Sequence, residues 1–241
     1  MKTATITSAV GRFAVLMGAF LVIAAGSAFG DTVTLENTFS PGNVADTNQY
    51  GWVYVMPYTL KDDTTGTTYL VACDTFFRES STGDPYTVNV NTGGNISETL
   101  FPTDTQDYTE AAWLFSMFSP STPSQADSDI NFAIWALFAG DQGVSMSNFI
   151  SDAGAGWTSG ASNLLTEANN WYTSATSSQQ AQYLDGLTVF TPTDGSTQQE
   201  FITYQSVPEP STLALFAVGL LSLIVFSRRK SLVLGRSQIA S

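Results

Sequence analysis

The 241 residues contain no histidine, and Cys73 is the sole thiol. That removes the usual general base, the Ser-His triad and most zinc sites. A Gly-rich phosphate loop is also absent. Chemistry is therefore left to Cys73 and to carboxylates acting in pairs or as ligands. Residues 31–207 hold 20 acidic side chains against two basic ones, Lys61 and Arg78, a net charge of −18. Paired acids can hydrolyse a glycosidic bond. No pair is picked out by spacing, so a carboxylate-only glycan hydrolase ranks below a non-catalytic role. Asp127-Ser-Asp129-Ile-Asn131 has the first three ligand positions of a calcium loop. Phe132 stands where that loop needs glycine, which excludes an EF-hand. No cofactor is expected, save a looser calcium site between acidic loops. The charge repels nucleic acid and anionic lipid and draws cations, so no nucleic-acid partner is expected.

These side chains must be positioned by two kinds of element. Residues 31–106 alternate as strands do, in Thr32–Leu35, Gly51–Met56, Thr67–Cys73 and Tyr86–Val90. The turn Lys61-Asp-Asp-Thr-Thr-Gly66 predicts a hairpin joining the second and third of these runs. From Asp107 the period becomes helical. Asp107-Tyr-Thr-Glu110 has the form of a capping box before Ala111–Phe118. Thr122, with Pro123 and Gln125, is expected to cap a second helix that runs through Asp127–Phe138 to Gly140. A Gly/Ser-rich loop with Trp157 follows, then a third helix over about 161–175. Leu187–Thr191 and Gln199–Tyr204, flanking Pro192-Thr-Asp-Gly195, predict a closing hairpin. The fold class is α+β: an antiparallel β lobe with an inserted lobe of three helices, plus an N-terminal signal helix and one C-terminal transmembrane helix. With one cysteine, an exported chain forms no internal disulfide, and Cys73 on its strand reads first as a small buried apolar group.

Both ends carry targeting signals. Lys2 and Arg12 precede an apolar stretch, Phe13–Ala25, and small residues follow to Gly30. Residues 1–30 are thus expected to be a signal peptide, with the Sec machinery and signal peptidase as partners. At the other end, Val207-Pro208-Glu209-Pro210 separates the body from an uncharged run. Prolines can neither continue a helix nor donate to a ladder. Residues 211–227 form a short membrane helix of about 25 Å at ~1.5 Å per residue. Arg228, Arg229 and Lys230 stop its transfer and leave 231–241 as a cytoplasmic tail, with the acidic body outside. Proline-glutamate-proline, one apolar helix and a basic cluster together resemble the PEP-CTERM sorting signal of Gram-negative bacteria, over 207–230. The resemblance implies processing by an exosortase-type transpeptidase near the Pro-Glu-Pro, after anchoring in the membrane through 211–227.

The body, 31–206, carries a second resemblance. Tyr69-Leu-Val-Ala-Cys-Asp-Thr-Phe76, Tyr108–Phe115 and Asp129-Ile-Asn-Phe-Ala-Ile-Trp-Ala-Leu-Phe138 resemble the thioester-domain family of bacterial surface proteins, over about residues 50 to 205. In that family a strand-end cysteine bonds to a glutamine side chain two residues before Ala-Ile-Trp. The bond captures an amine or hydroxyl on a target. Here the matching positions are Cys73 and Asn131. Asparagine is one methylene shorter, which moves its carbonyl carbon about 1.5 Å from the sulfur on ordinary bond lengths. The architecture is expected to persist without the bond, with Trp113, Ile134, Trp135, Leu137 and Phe138 in the core. The expected function is that of an exported, surface-anchored, non-catalytic protein acting in adhesion or in association with exopolysaccharide or a surface glycan. The alternative is a covalent adhesin using a Cys73–Asn131 bond.

Overall fold

The computed structural model describes residues 30–37, 44–47, 49, 51–55, 57–118, 124–193, 197–206 and 218–222. The signal segment before Gly30, the junction Val207–Pro210, the cations Arg228, Arg229 and Lys230, and the tail 231–241 lie outside these residues. Of the expected span 211–227, residues 218–222 are described; they are helical, with exposed side chains. No helix among the described residues is long and apolar enough to cross a membrane. The chain divides into two compact units, Met1–Gly30 and Asp31–Ser241.

The body is α+β and antiparallel. Strands β1 (Asp31–Asn37), β4 (Tyr58–Asp62), β5 (Thr68–Cys73), β6 (Pro85–Asn91), β7 (Leu187–Pro192) and β8 (Phe201–Tyr204) close a barrel in the order β1-β4-β5-β8-β7-β6. Closure leaves no unpaired edge. Alternation does what it should on β4, where Tyr58, Leu60 and Asp62 are buried and Thr59 and Lys61 less so. Strands β2 (Val44–Thr47) and β3 (Gly51–Tyr54) form a separate two-stranded sheet.

Here the expected hairpin is corrected. The turn at Lys61–Gly66 joins β4 to β5, not the run 51–56 to β5. Pro57, which has no N–H to give a ladder, ends the earlier run, and Tyr58 starts afresh. The Asp62 carboxylate accepts from Thr64 N at 2.8 Å and Thr65 N at 3.1 Å, and Gly66 takes φ +75° to finish the turn. The closing hairpin pairs as expected, Leu187 opposite Tyr204 and Phe190 opposite Phe201.

Between β6 and β7, which are barrel neighbours, the described residues form five helices rather than three: α1 (Thr105–Ser116), α2 (Gln125–Leu137), α3 (Met146–Ala153), α4 (Ala155–Ser174) and α5 (Ser177–Gly186). The Asp107–Glu110 box does not form. Helix α1 begins earlier, after Asp104, without a side-chain cap. Helix α2 is capped by Ser124 rather than Thr122, because Asp127 accepts from Ser124 N at 2.8 Å and returns the capping box. The stretch read as a Gly/Ser-rich loop is α3 and the first turn of α4, divided at Gly154. Low helix propensity there is overridden by packing. Ala161, Leu165 and Ala168 are buried, and Gly160 lies so close to the Asp129 carboxylate of α2 that a Cβ would overlap it. Helix α5 carries a sequence signal that went unread: Thr176 and Gln179 form a capping box. Helix α1 packs on β7 and β8, and α2 packs on β5. That is why β7 and the end of β5 are buried on both faces.

Candidate functional site

Strand β5 ends by delivering Cys73, Asp74 and Thr75 into the contact between barrel and helices, all three fully buried. Helix α2 meets them with Asn131 and Trp135, one turn apart on the same face. The structure therefore brings together the two residues that the resemblance pairs. Asn131 Nδ2 donates to the backbone oxygen of Cys73 at 3.3 Å. The Cys73 thiol donates to the Thr75 carbonyl at 3.2 Å. Trp135 turns its indole N–H toward the Cys73 sulfur, and that N–H makes no hydrogen bond among the described residues. Burial, reinforced by the Asp74 carboxylate, pushes the thiol up to about 12. In this state Cys73 is a neutral hydrogen-bond donor and a poor nucleophile. Iodoacetamide at pH 8 is accordingly expected to leave Cys73 unmodified in the folded protein and to alkylate it once urea unfolds the barrel. Rapid native labelling, read by mass, would contradict the geometry.

Beside the thiol lies an arrangement that spacing did not reveal. Glu200, fully buried at the entry to β8, receives the Tyr108 hydroxyl at 2.5 Å, the Leu100 amide at 3.0 Å and the Thr191 hydroxyl. Every one of these partners is a donor, the surroundings a charged carboxylate takes. Asp74 faces Glu200, yet its oxygens receive no conventional donor among the described residues. Two carboxyl groups can bond to each other only through a shared proton. Burial first, then the charge of Glu200, hold Asp74 well above its ordinary 3.8, with Arg78 pulling weakly the other way. Asp74 is thus the acid that keeps the proton. The pairing joins residues more than a hundred positions apart, and Glu200 looks like any solvated acid before a strand. Asp74 and Tyr108 fall inside the stretches 69–76 and 108–115 that carry the resemblance, whereas Thr191 and Glu200 fall outside those stretches.

Trp135 also forms the inner wall of an open cleft of about 550 Å³ at this rim of the barrel. Tyr54, Tyr58, Phe76 and Phe77 supply aromatic walls, and Arg78 and Gln199 supply polar groups. Phe76 meets Trp135 edge-on at 4.9 Å, and Phe149 backs Phe76 at the same distance. Tyr54 and Phe77 are nearly half exposed, at 46% and 44%. Arg78 is the cleft's cation; the body's other basic residue, Lys61, is bound to Asp63 at 2.9 Å on the surface.

The acids considered for calcium are placed otherwise. Asp127 is spent on the helix cap, Asp129 accepts from Gln125 at 2.9 Å, and Asn131 is buried at the thiol. Carboxylates of Asp104, Asp107 and Asp141 do converge, with oxygens within 4.8 Å of one another. Burial, and then Glu110, Asp104 and Asp141, push Asp107 up to about 7. Such oxygens suit a hard cation but are equally common as solvated acids.

No curated protein and no solved structure matches the chain. Residues 206–230 match the PEP-CTERM protein-sorting motif, which implies export, anchoring at the membrane or surface through the C-terminal tail, and processing by exosortase.

Proposed function

We propose that the exported body is a non-catalytic binding module, held at the cell envelope to associate with exopolysaccharide or a surface glycan. The observation that carries this reading is where the sorting motif begins. Ser206 follows Tyr204, the last residue of β8, by two positions, so the sorted element is the barrel itself and not a distant domain. The aromatic cleft supports a saccharide ligand. Exposed aromatic faces stack on sugar rings, while Arg78 and Gln199 can orient hydroxyls. The body's charge disfavours polyanionic chains, so the favoured ligand is a neutral or amino-bearing glycan. Sedimentation of the secreted protein with purified exopolysaccharide tests this. Phe77→Ala, on a half-exposed ring, is expected to leave folding intact and weaken binding about tenfold. Equal binding by the variant, or none by the natural chain, refutes the cleft as the site.

A second reading draws support from the adjacency of Cys73 and Asn131. In the covalent adhesin of the thioester-domain type, the thiol sulfur bonds to Asn131 Cγ, and the amide nitrogen leaves as ammonia with the thiol proton. The geometry favours the non-covalent state, since the amide bonds to a backbone oxygen and the thiol to Thr75. Intact mass separates the two. A species lighter by one ammonia, shifted by methylamine and lost in Cys73→Ala, is required by the bond.

A further inference from the structure

The rim of the barrel opposite the cleft holds a second concavity, of about 690 Å³, where β5 begins and β8 ends. Eleven residues line it and none is charged. In a body with 20 acids that neutrality is selective. Tyr69, Leu70, Phe115, Phe118, Tyr183 and Tyr204 give it apolar and aromatic walls, and Leu70 is 40% exposed. Met117, 39% exposed, adjoins it. Tyr204 and Tyr183 stack at 5.2 Å, so the aromatic surface is continuous from β8 onto α5. The groove also includes Gln205 and Ser206, the point at which the chain leaves the body and the sorting motif starts.

Chain length then decides what this face can meet. Six residues, 207–212, separate Ser206 from the apolar run that opens at Leu213. Fully extended, they span roughly 20 Å. A tail anchored in the membrane therefore keeps this rim within about that distance of the bilayer surface, at high effective concentration. Tyrosine and phenylalanine beside uncharged polar groups are the composition that settles at a lipid–water interface. The same rim carries the β4–β5 turn, where Lys61 is paired with Asp63, and repulsion of the acidic body by anionic headgroups would turn the uncharged groove inward. We infer that this uncharged aromatic groove is a lipid-facing seat, on which the body rests against zwitterionic headgroups while its tail is still in the membrane. The aromatic cleft at the other rim then faces away from the membrane. The inference rests on the sorting motif's anchoring and does not depend on the glycan reading.

The test uses the full chain reconstituted into phosphatidylcholine vesicles. Leu70→Cys and, at the other rim, Ser81→Cys are each labelled with an environment-sensitive fluorophore; buried Cys73 supplies the unlabelled background. The expected result is a blue-shifted emission at position 70, quenched by brominated lipid, with position 81 unshifted. A Thr68→Cys label should follow position 70, and adding Leu70→Glu to it should abolish the shift. If the label at 70 is as solvent-exposed as that at 81, or if the chain fails to float with vesicles, the inference is overturned. A shift that appears only on adding exopolysaccharide, or only with an exosortase in the vesicle, overturns it too, by assigning the groove to a glycan or to the transpeptidase.

Discussion

Glu200→Ala is expected to reduce the stability of the fold by about 3–5 kcal/mol, a large share of the roughly 5–15 kcal/mol that keeps an ordinary domain folded. The carboxylate holds donors from three separate parts of the chain: Tyr108 on α1, Thr191 on β7 and the Leu100 amide before α1. Alanine leaves all three buried without an acceptor, and each costs about 1–3 kcal/mol. It also removes a tie between the barrel and the helical insertion, through Tyr108. Urea unfolding of the exported body reads the effect, and a loss below ~1 kcal/mol would show that water replaces the carboxylate. The neighbouring acid gives the opposite sign. Asp74 is held protonated in the folded protein, whereas the unfolded chain releases that proton above about 3.8. Its contribution to stability is therefore full below that pH and declines as pH rises. Asp107 acts in the same direction between 3.8 and about 7. The protein should be more resistant to urea at pH 5 than at pH 8. Asp74→Asn, which keeps the shape and can donate to Glu200 at any pH, should raise stability at pH 8 and flatten the dependence. A variant less stable than the natural chain at pH 8 would refute the shared proton.

Trp135→Ala is the second large effect, at about 3–5 kcal/mol. The indole is 2% exposed and sits edge-on to Phe76 at 4.9 Å and Phe132 at 5.2 Å. Its loss opens a cavity between α2 and the end of β5 that the closed barrel cannot collapse to fill. Because the same ring walls the cleft, the glycan binding proposed for it should fall even when temperature or osmolyte restores the fold. Trp135→Phe separates the two roles. It keeps most of the packing, so stability should recover to within ~2 kcal/mol. It has no N–H beside the Cys73 sulfur, so the thiol should become somewhat harder still to ionise. Ultraviolet thiolate absorbance at high pH measures that last change. If Trp135→Ala unfolds at the same urea concentration as the natural chain, the packing assigned to the indole is wrong.

Several features were legible because they are local. The antiparallel strands 68–73 and 86–90, the closing hairpin, the helix around Ala133-Ile-Trp135 and the sorting segment all announce themselves through period, turn residues or charge within about 20 positions. Helix α5 carries a local signal in its Thr176–Gln179 capping box, but α3 and the first turn of α4 are not legible as helix. Helix α3 and the start of α4 have a composition that favours turns, and become helical because small residues let α4 pack against α2. Capping positions slipped by two or three residues, since several Ser, Thr and Asp side chains compete for each helix start and packing selects among them.

By itself the sequence determined the address: an acidic body, almost without cations, that ends in a sorting motif. Charge and hydropathy are sums over a chain and need no fold to be read. The thioester-domain resemblance, in turn, pairs Cys73 with Asn131. The tertiary structure alone decided what surrounds them. Closure of the barrel brings β8 beside β5, and with it Glu200 against Asp74; insertion of the helices between β6 and β7 seats α2 over Cys73. These contacts join residues 58 to 126 positions apart, at separations where no periodicity survives. Burial then sets the chemistry, by making a lone thiol a hydrogen-bond donor and by holding the Asp74 carboxyl well above its ordinary range.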